Sequence, residues 1–480
     1  MPWGISECPN GPSTCTRLAE VTETITWQDS RRGELHSPFQ RGERERPLRI
    51  TLHTSSFAAL PPSEHAAVSA IREMCNDPDI VALDTEPGPL PRLRIETFDP
   101  TAEYVPVTVT YPDGRITYTG VWFPSQWPEL AANLAGQNDP SHPHAQAALA
   151  DVLVSQAHRQ AGQDVLITGS PWLLRPSAGG FVRETNPRKP SDTARLIGLF
   201  LRSRDTYLLQ PPVRTNRWLW YWAASRGCLP SMWRYFSACV HAADMRGDDI
   251  LDLGGSVLTR CARALEARDA VGIQFYRPQT TDTQEATMYH FDYLTLLLVG
   301  ALDAPARVAH RAYGLPGNER SATFNWPEFR KRLQANGAEA LAQYTASDDA
   351  LDVMKLLFTL RHLVHGAALR STGFDDGKRK VSSLVALPKG EAQSLWNAAQ
   401  RHGSAEYWGM TQMPGGLMVA PYIYACALVA ECHRLVDAIA AATDMARIFP
   451  LGHALPTLMD KPPDDRLWDE QTRQWLSLTV

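Results

Sequence analysis

Residues 48–57, LRITLHTSSF, and 164–170, DVLITGS, decide the fold. Each is a short run rich in Ile, Leu, Val and Thr that stops in small polar residues. Helical patterns flank both, SEHAAVSAIREM (63–74) after the first and HAQAALADVLVSQAHRQA (144–161) before the second. Between them lie a further strand pattern, DIVALDTE (79–86), and YVPVTVTYPDGRITYTGVWF (104–123), two alternating runs that turn at PDG. A last helical pattern, DTARLIGLFLRSRD (192–205), follows. Strands separated by helices predict a largely parallel sheet, because parallel neighbours need crossover connections. This α/β domain is expected over 48–205.

Working outward, residues 1–47 are polar and end in RRGELHSPFQRGERERP, which reads as a disordered arm. Residues 206–283 form a Trp-rich connector with helical patterns. Beyond Thr281 strand signals nearly vanish, and helical patterns over Glu285–Tyr313, Glu391–Arg401, Met418–Arg447 and from Asp348 to Arg370 predict an all-α bundle at 284–448. A Pro-punctuated tail, 449–480, is expected to pack back through Trp468 and Trp475.

Composition bounds the function. A chain of 480 residues with 44% hydrophobic and 21% charged content buries more than one core. Forty-seven Lys and Arg against 52 Asp and Glu leave a charge of -5, so affinity for nucleic acid has to come from a local patch. The 36 prolines exceed the average of about 5% and concentrate in connections. Eight cysteines without CxxC spacing read as reduced thiols, and the N-terminus lacks a signal-peptide pattern, so a cytoplasmic location is expected. The uncharged stretch Tyr407–Ala430 is broken by Pro and Gly and is too short in its helical part to span a bilayer; no membrane association is expected. No GxxxxGK[ST], GxSxG or HExxH motif occurs. Cys426, Cys432 and His433 fall on different faces of one helix and do not form a metal site.

In LDVMKLLFTLRHLVHGAALR (351–370), Leu351, Met354, Phe358, Arg361 and His365 share one helical stripe. An Arg and a His one turn apart can cleave RNA without a metal, the imidazole moving protons and the guanidinium stabilising phosphorane charge. A core histidine and an arginine paired with a carboxylate account for the same pattern. YHFDYLTLLLVGALDAPARVAHRAYGL (289–315) followed by this helix resembles the HEPN helical domains, whose ribonuclease members carry such an Arg and His. The resemblance implies Arg361 and His365 as catalytic residues, with His362 where the family often has Asn, Asp292 and Asp303 in support, and a homodimer through the helical domain. Three residues separate Arg361 and His365, against four to six in the family pattern.

RITLHTSSFAAL (49–60) with ADVLVSQAHRQAGQDVLITGSPWLL (150–174) resembles PIN domains, metal-dependent ribonucleases with a three-layer α/β fold. Asp151 matches the family's helix carboxylate and Thr168 its turn, whereas His53 and Ser170 stand where further Asp residues belong; Glu64, Asp84 and Glu86 are unplaced acidic candidates. A Mg or Mn ion would have Asp151 as its one aligned carboxylate, which implies a silent domain serving recognition or regulation. Arg217, Trp218, Trp220 and Arg234 form an aromatic–basic mixture suited to a nucleic-acid strand, or to a seam between domains. The expected function is thus metal-independent RNA cleavage through Arg361 and His365, with no cofactor, in a protein resembling bacterial toxin and phage-defence proteins. The alternatives are a non-enzymatic interaction and dimerisation protein, and a metal-dependent PIN-type nuclease.

Overall fold

The computed structural model describes residues 46–480, apart from 97–103, 123–125, 176–184, 247–248, 278–279, 367–370, 373–383, 388, 414–415, 450–453, 455 and 460–467. Residues 1–45 of the arm expected over 1–47 lie outside the described residues. In chain order the first part runs β1 (Leu48–Leu52), α1 (Pro62–Met74), β2 (Ile80–Asp84), β3 (Arg92–Ile95), β4 (Tyr104–Thr110), β5 (Ile116–Trp122), α2 (Trp127–Ala135), α3 (Pro143–Gln160), β6 (Val165–Ile167) and β7 (Pro187–Arg188). The second part contains α4 (Pro190–Ser203), the hairpin β8 (Tyr207–Gln210) and β9 (Val213–Thr215), α5 (Arg217–Cys228), α6 (Met232–Arg246), α7 (Ile250–Phe275) and α8 (Thr281–Ala312). It continues with α9 (Pro327–Ala335), α10 (Glu339–Thr345), α11 (Asp348–Gly366), β10 (Ser371–Thr372), β11 (Leu384–Ala386), α12 (Lys389–Arg401), β12 (Met410–Met413), β13 (Gly416–Val419), α13 (Pro421–Ala442) and α14 (Glu470–Thr479).

The described chain divides into two compact units, one of Arg49–Ala59 with Ala82–Arg188, the other of 46–48, Leu60–Val81 and Lys189–Val480. Helices α1 and α4, expected within the α/β domain, pack on each other and group with the second unit. The first unit holds a seven-stranded sheet in the order β5-β4-β3-β2-β1-β6-β7. Pairing is parallel for β1 with β6, β2 with β3 and β6 with β7, and antiparallel along the β3-β4-β5 edge. That edge is the hairpin expected at PDG, closed by Tyr111 N–H donating to Arg115 O with Gly114 in the left-handed region at φ 84°. Its core joins Val105, Val107 and Val109 of β4 to Leu149, Val152 and Leu153 of α3. Each such side chain gains about 1.5–3 kcal/mol from burial.

The proline excess has a place in this architecture. Helices α1, α2, α3, α4, α9 and α13 carry Pro at one of their first two positions, where the missing N–H costs nothing. Buried Pro305, inside α8, is the exception. The expectation of a helical region without strands is corrected by the antiparallel sheet β10-β11-β13-β12. Its strands are two to four residues long, too short for a period-2 signal, and β13 occupies the first residues of the helix expected from Met418; Pro421 sets the true start of α13. Among the described residues no helix is long and apolar enough to cross a membrane. The tail packs back as expected: Trp468 meets Trp222 and Trp233 edge-on, and Trp475 Nε1 donates to Leu208 O.

Candidate functional site

In the first unit the strand order changes sides at β1: the chain adds β2 and β3 on one flank and returns to place β6 and β7 on the other. Open α/β sheets bind ligands outside the strand ends at such a switch point. The register Leu52↔Ile167 makes His53 and Thr168 the next pair, side by side just beyond the strands. His53 N–H donates to Ile167 O at 2.9 Å, and His53 Nδ1 lies 3.0 Å from Thr168 Oγ1. The Thr168 hydroxyl accepts from Ser170 N–H at 3.0 Å.

Asp151 reaches the same point from α3. It belongs to a stripe Ala148, Asp151, Ser155 and His158, at spacings of three, four and three, whose other members are buried. Its Oδ1 stands 3.5 Å from His53 Nε2, and the Ser170 hydroxyl hydrogen-bonds its carboxyl. The four positions aligned from separate stretches of sequence, 53, 151, 168 and 170, therefore form one cluster. Ser56, which sequence reasoning missed, completes it: its Oγ donates to His53 O at 2.6 Å, accepts from Gly169 N–H at 2.8 Å and lies 3.2 Å from Thr168 Oγ1. The serines following the β1 pattern were the available signal.

His53, Thr168 and Ser170 are buried, while Asp151 is half-buried and exposes 15% of its side chain. Burial pushes the His53 imidazole down to about 4, so it is neutral at physiological pH. Burial likewise pushes the Asp151 carboxyl up to about 6, against the lowering effect of the Ser170 hydrogen bond. A solvent-reaching carboxyl near neutrality, backed by a neutral imidazole and hydroxyls, suits general acid–base work. As a donor set for Mg or Mn it does not fit: one carboxylate, an imidazole and hydroxyls fall short of the oxygen-rich shell these ions take. Among the described residues no three His, Cys, Asp or Glu side chains group to hold a metal. Glu64 is part of the second unit, where it accepts Ser191 N–H and Oγ–H at 2.8 Å each at the start of α4. Asp84 is buried and accepts Glu86 N–H.

The helical candidates separate. Arg361 is half-buried on α11 and acts electrostatically on Asp303, whose carboxyl is raised by burial and lowered by the Thr323 hydroxyl and by Arg307, Arg361 and Arg260. His365 belongs to α11, but its side chain lies outside the described residues. His362 is exposed, with Nδ1 at the Phe358 carbonyl. Asp292, raised by burial and with Oδ1 unpartnered, sits eleven residues before Asp303, about 16 Å along α8, so the two do not act together. Of the aromatic–basic set, Arg217 and Arg234 are exposed, and Arg217 is paired with Glu266. Trp218 is 67% exposed and stacks on Trp222. Trp220 is corrected: at 1% exposure, with Nε1 donating to Leu208 O, it cannot stack a base.

Comparison with protein-family models, with curated proteins and with solved structures yields no match.

Proposed function

We propose that the α/β unit is a PIN-like domain with an altered centre, in which Asp151 acts as general base in cleaving a phosphodiester of RNA. The observation that carries this reading is the meeting of His53, Asp151, Thr168 and Ser170 at the ends of β1 and β6. The resemblance supplies the substrate class, and the site supplies the base. Asp151 takes the proton of the attacking hydroxyl as oxygen bonds to phosphorus, and the leaving oxygen takes a proton from solvent water as its bond to phosphorus breaks. Neutral His53 holds the carboxylate without competing for its charge.

The test is cleavage of 5′-labelled single-stranded RNA with and without EDTA. Asp151→Asn is expected to slow cleavage at least about 100-fold, and the wild-type rate to rise with pH through about 6 as the carboxyl ionises. Activity should survive EDTA and His365→Ala. Cleavage that persists in Asp151→Asn and vanishes in His365→Ala transfers the chemistry to α11. If the wild-type chain cuts nothing, the interaction reading replaces both enzymatic ones.

A further inference from the structure

The second unit carries a groove of about 690 Å³ along α7 and α8, lined among others by Ser256, Thr259, Arg260, Arg263, Tyr293 and Asp252. One lining residue, Arg260, owes its place to a glycine of α8. A Cβ at Gly300 would overlap the Arg260 guanidinium, so that side chain lies across the bare backbone of α8, steadied by Nε donating to Ser256 Oγ at 2.9 Å. Tyr293 lines the groove and is 40% exposed, and Tyr289, one turn earlier on the same helix face, is 70% exposed. Arg260 also shares Asp303 with Arg307 and Arg361. Two guanidiniums, Arg260 and Arg263, thus line the groove beside one carboxylate, Asp252, a local positive excess in a chain whose net charge is -5.

We propose that this groove binds a single RNA strand, with Arg260 and Arg263 on phosphates and Tyr293 stacking a base. The inference deepens the proposed function and rests on its assignment of RNA as the strand acted on. Guanidiniums beside exposed tyrosines are the chemistry of single-strand tracks, phosphate neutralised along the groove and bases laid on rings. A second copy of the chain fits less well, because a two-fold contact sets each surface against itself and brings arginines against arginines.

The experiment is fluorescence anisotropy of 5′-fluorescein oligouridylate with the full chain carrying Asp151→Asn, so that binding is read without cleavage. Arg260→Ala with Arg263→Ala is expected to raise Kd at least about 10-fold and to lower the slope of log K against log salt by about 1.4, two phosphates at about 0.7 each. Arg260→Lys with Arg263→Lys should keep the slope. Tyr293→Ala should raise Kd about 5-fold or more and leave the slope intact. Gly300→Ala displaces the Arg260 guanidinium and should copy the effect of losing that arginine; Arg263→Ala alone, at an exposed position, gives a reading that does not depend on repacking. An unchanged Kd and slope in the double alanine variant overturns the groove, as does a loss seen in oligomeric state by light scattering and not in RNA affinity. RNA cleavage by the wild-type chain that is insensitive to groove variants leaves the Asp151 reading standing alone; groove-dependent binding by a chain that cuts nothing leaves the groove standing alone.

Discussion

Two buried ionisable clusters, one in each unit, differ in how their charge is answered. In the α/β unit buried His53 and half-buried Asp151 stand together with hydroxyls around them and no full countercharge, and burial drives their pKa values past each other, to about 4 and about 6. In the helical unit Asp269 lies between two arginines: Arg202 Nε at 2.6 Å, Arg268 Nη2 at 2.7 Å, with the Tyr221 hydroxyl at 3.0 Å. All four side chains are buried, yet Asp269 stays below the usual carboxylate range, because the guanidiniums outweigh its desolvation. Burial with compensation makes a scaffold, and burial without it makes a group able to exchange a proton near neutral pH. The largest expected effect tests the compensated side. Asp269→Ala strands two buried guanidiniums and should cost about 3–5 kcal/mol in urea unfolding monitored by circular dichroism. A cost under about 1 kcal/mol would remove the contrast.

The uncompensated side predicts the opposite sign. Asp151 has a folded pKa of about 6 against 3.8 unfolded, so its ionisation opposes folding, and Asp151→Asn should stabilise the chain at pH 7 by about 3 kcal/mol while slowing cleavage at least about 100-fold. The pH dependence sharpens this. Folding holds His53 neutral down to about 4, whereas the unfolded chain takes up that proton below 6.5, so stability is lost as pH falls from 6.5 to 4. For Asp151 the folded chain takes its proton first, so stability is gained as pH falls from about 6 to 3.8. In the wild-type chain the two trends oppose each other. Asp151→Asn should unmask the acid-side loss and His53→Gln the acid-side gain, each read as the difference from wild type in unfolding free energy at pH 4, 5, 6 and 7. Parallel pH curves for all three proteins would mean that the cluster does not titrate as a buried pair.

Much of the α/β site was legible because a sheet converts sequence into position simply. Once LRITLH and DVLITG are read as neighbouring parallel strands, His53 and Thr168 must emerge side by side, and a period of 3.6 turns Asp151 toward them. Ser56 showed in the sequence only as a small polar residue after β1, because its role depends on the backbone turn that brings its hydroxyl to Gly169 N–H. The helical half was harder. Periodicity places α8 and α11, but which cation reaches Asp303 depends on interhelical packing, so Arg260 and Arg307 went unnoticed beside Arg361. The short strands β10 to β13 left no periodic trace, and the division of α1 and α4 from the sheet carries no composition shift.

The smallest expected effect probes the same contrast on aromatic side chains. Trp218 and Trp220 are two residues apart on α5, so they point to different sides of the helix. Trp220 is sealed among Tyr207 and Tyr221 with the Arg202 guanidinium 4.2 Å from its ring, tying it to the Asp269 network. Trp218 keeps one face in solvent and the other near Trp222, with ring centroids 5.9 Å apart. Trp218→Ala should therefore change stability by less than about 1 kcal/mol, the scale of a single exposed stacking contact. Because the groove on α7 and α8 is lined by other residues, the variant should also leave oligouridylate affinity within about 2-fold of wild type. A larger loss of affinity with stability intact would give Trp218 the base-stacking role that Trp220, by its burial, cannot fill.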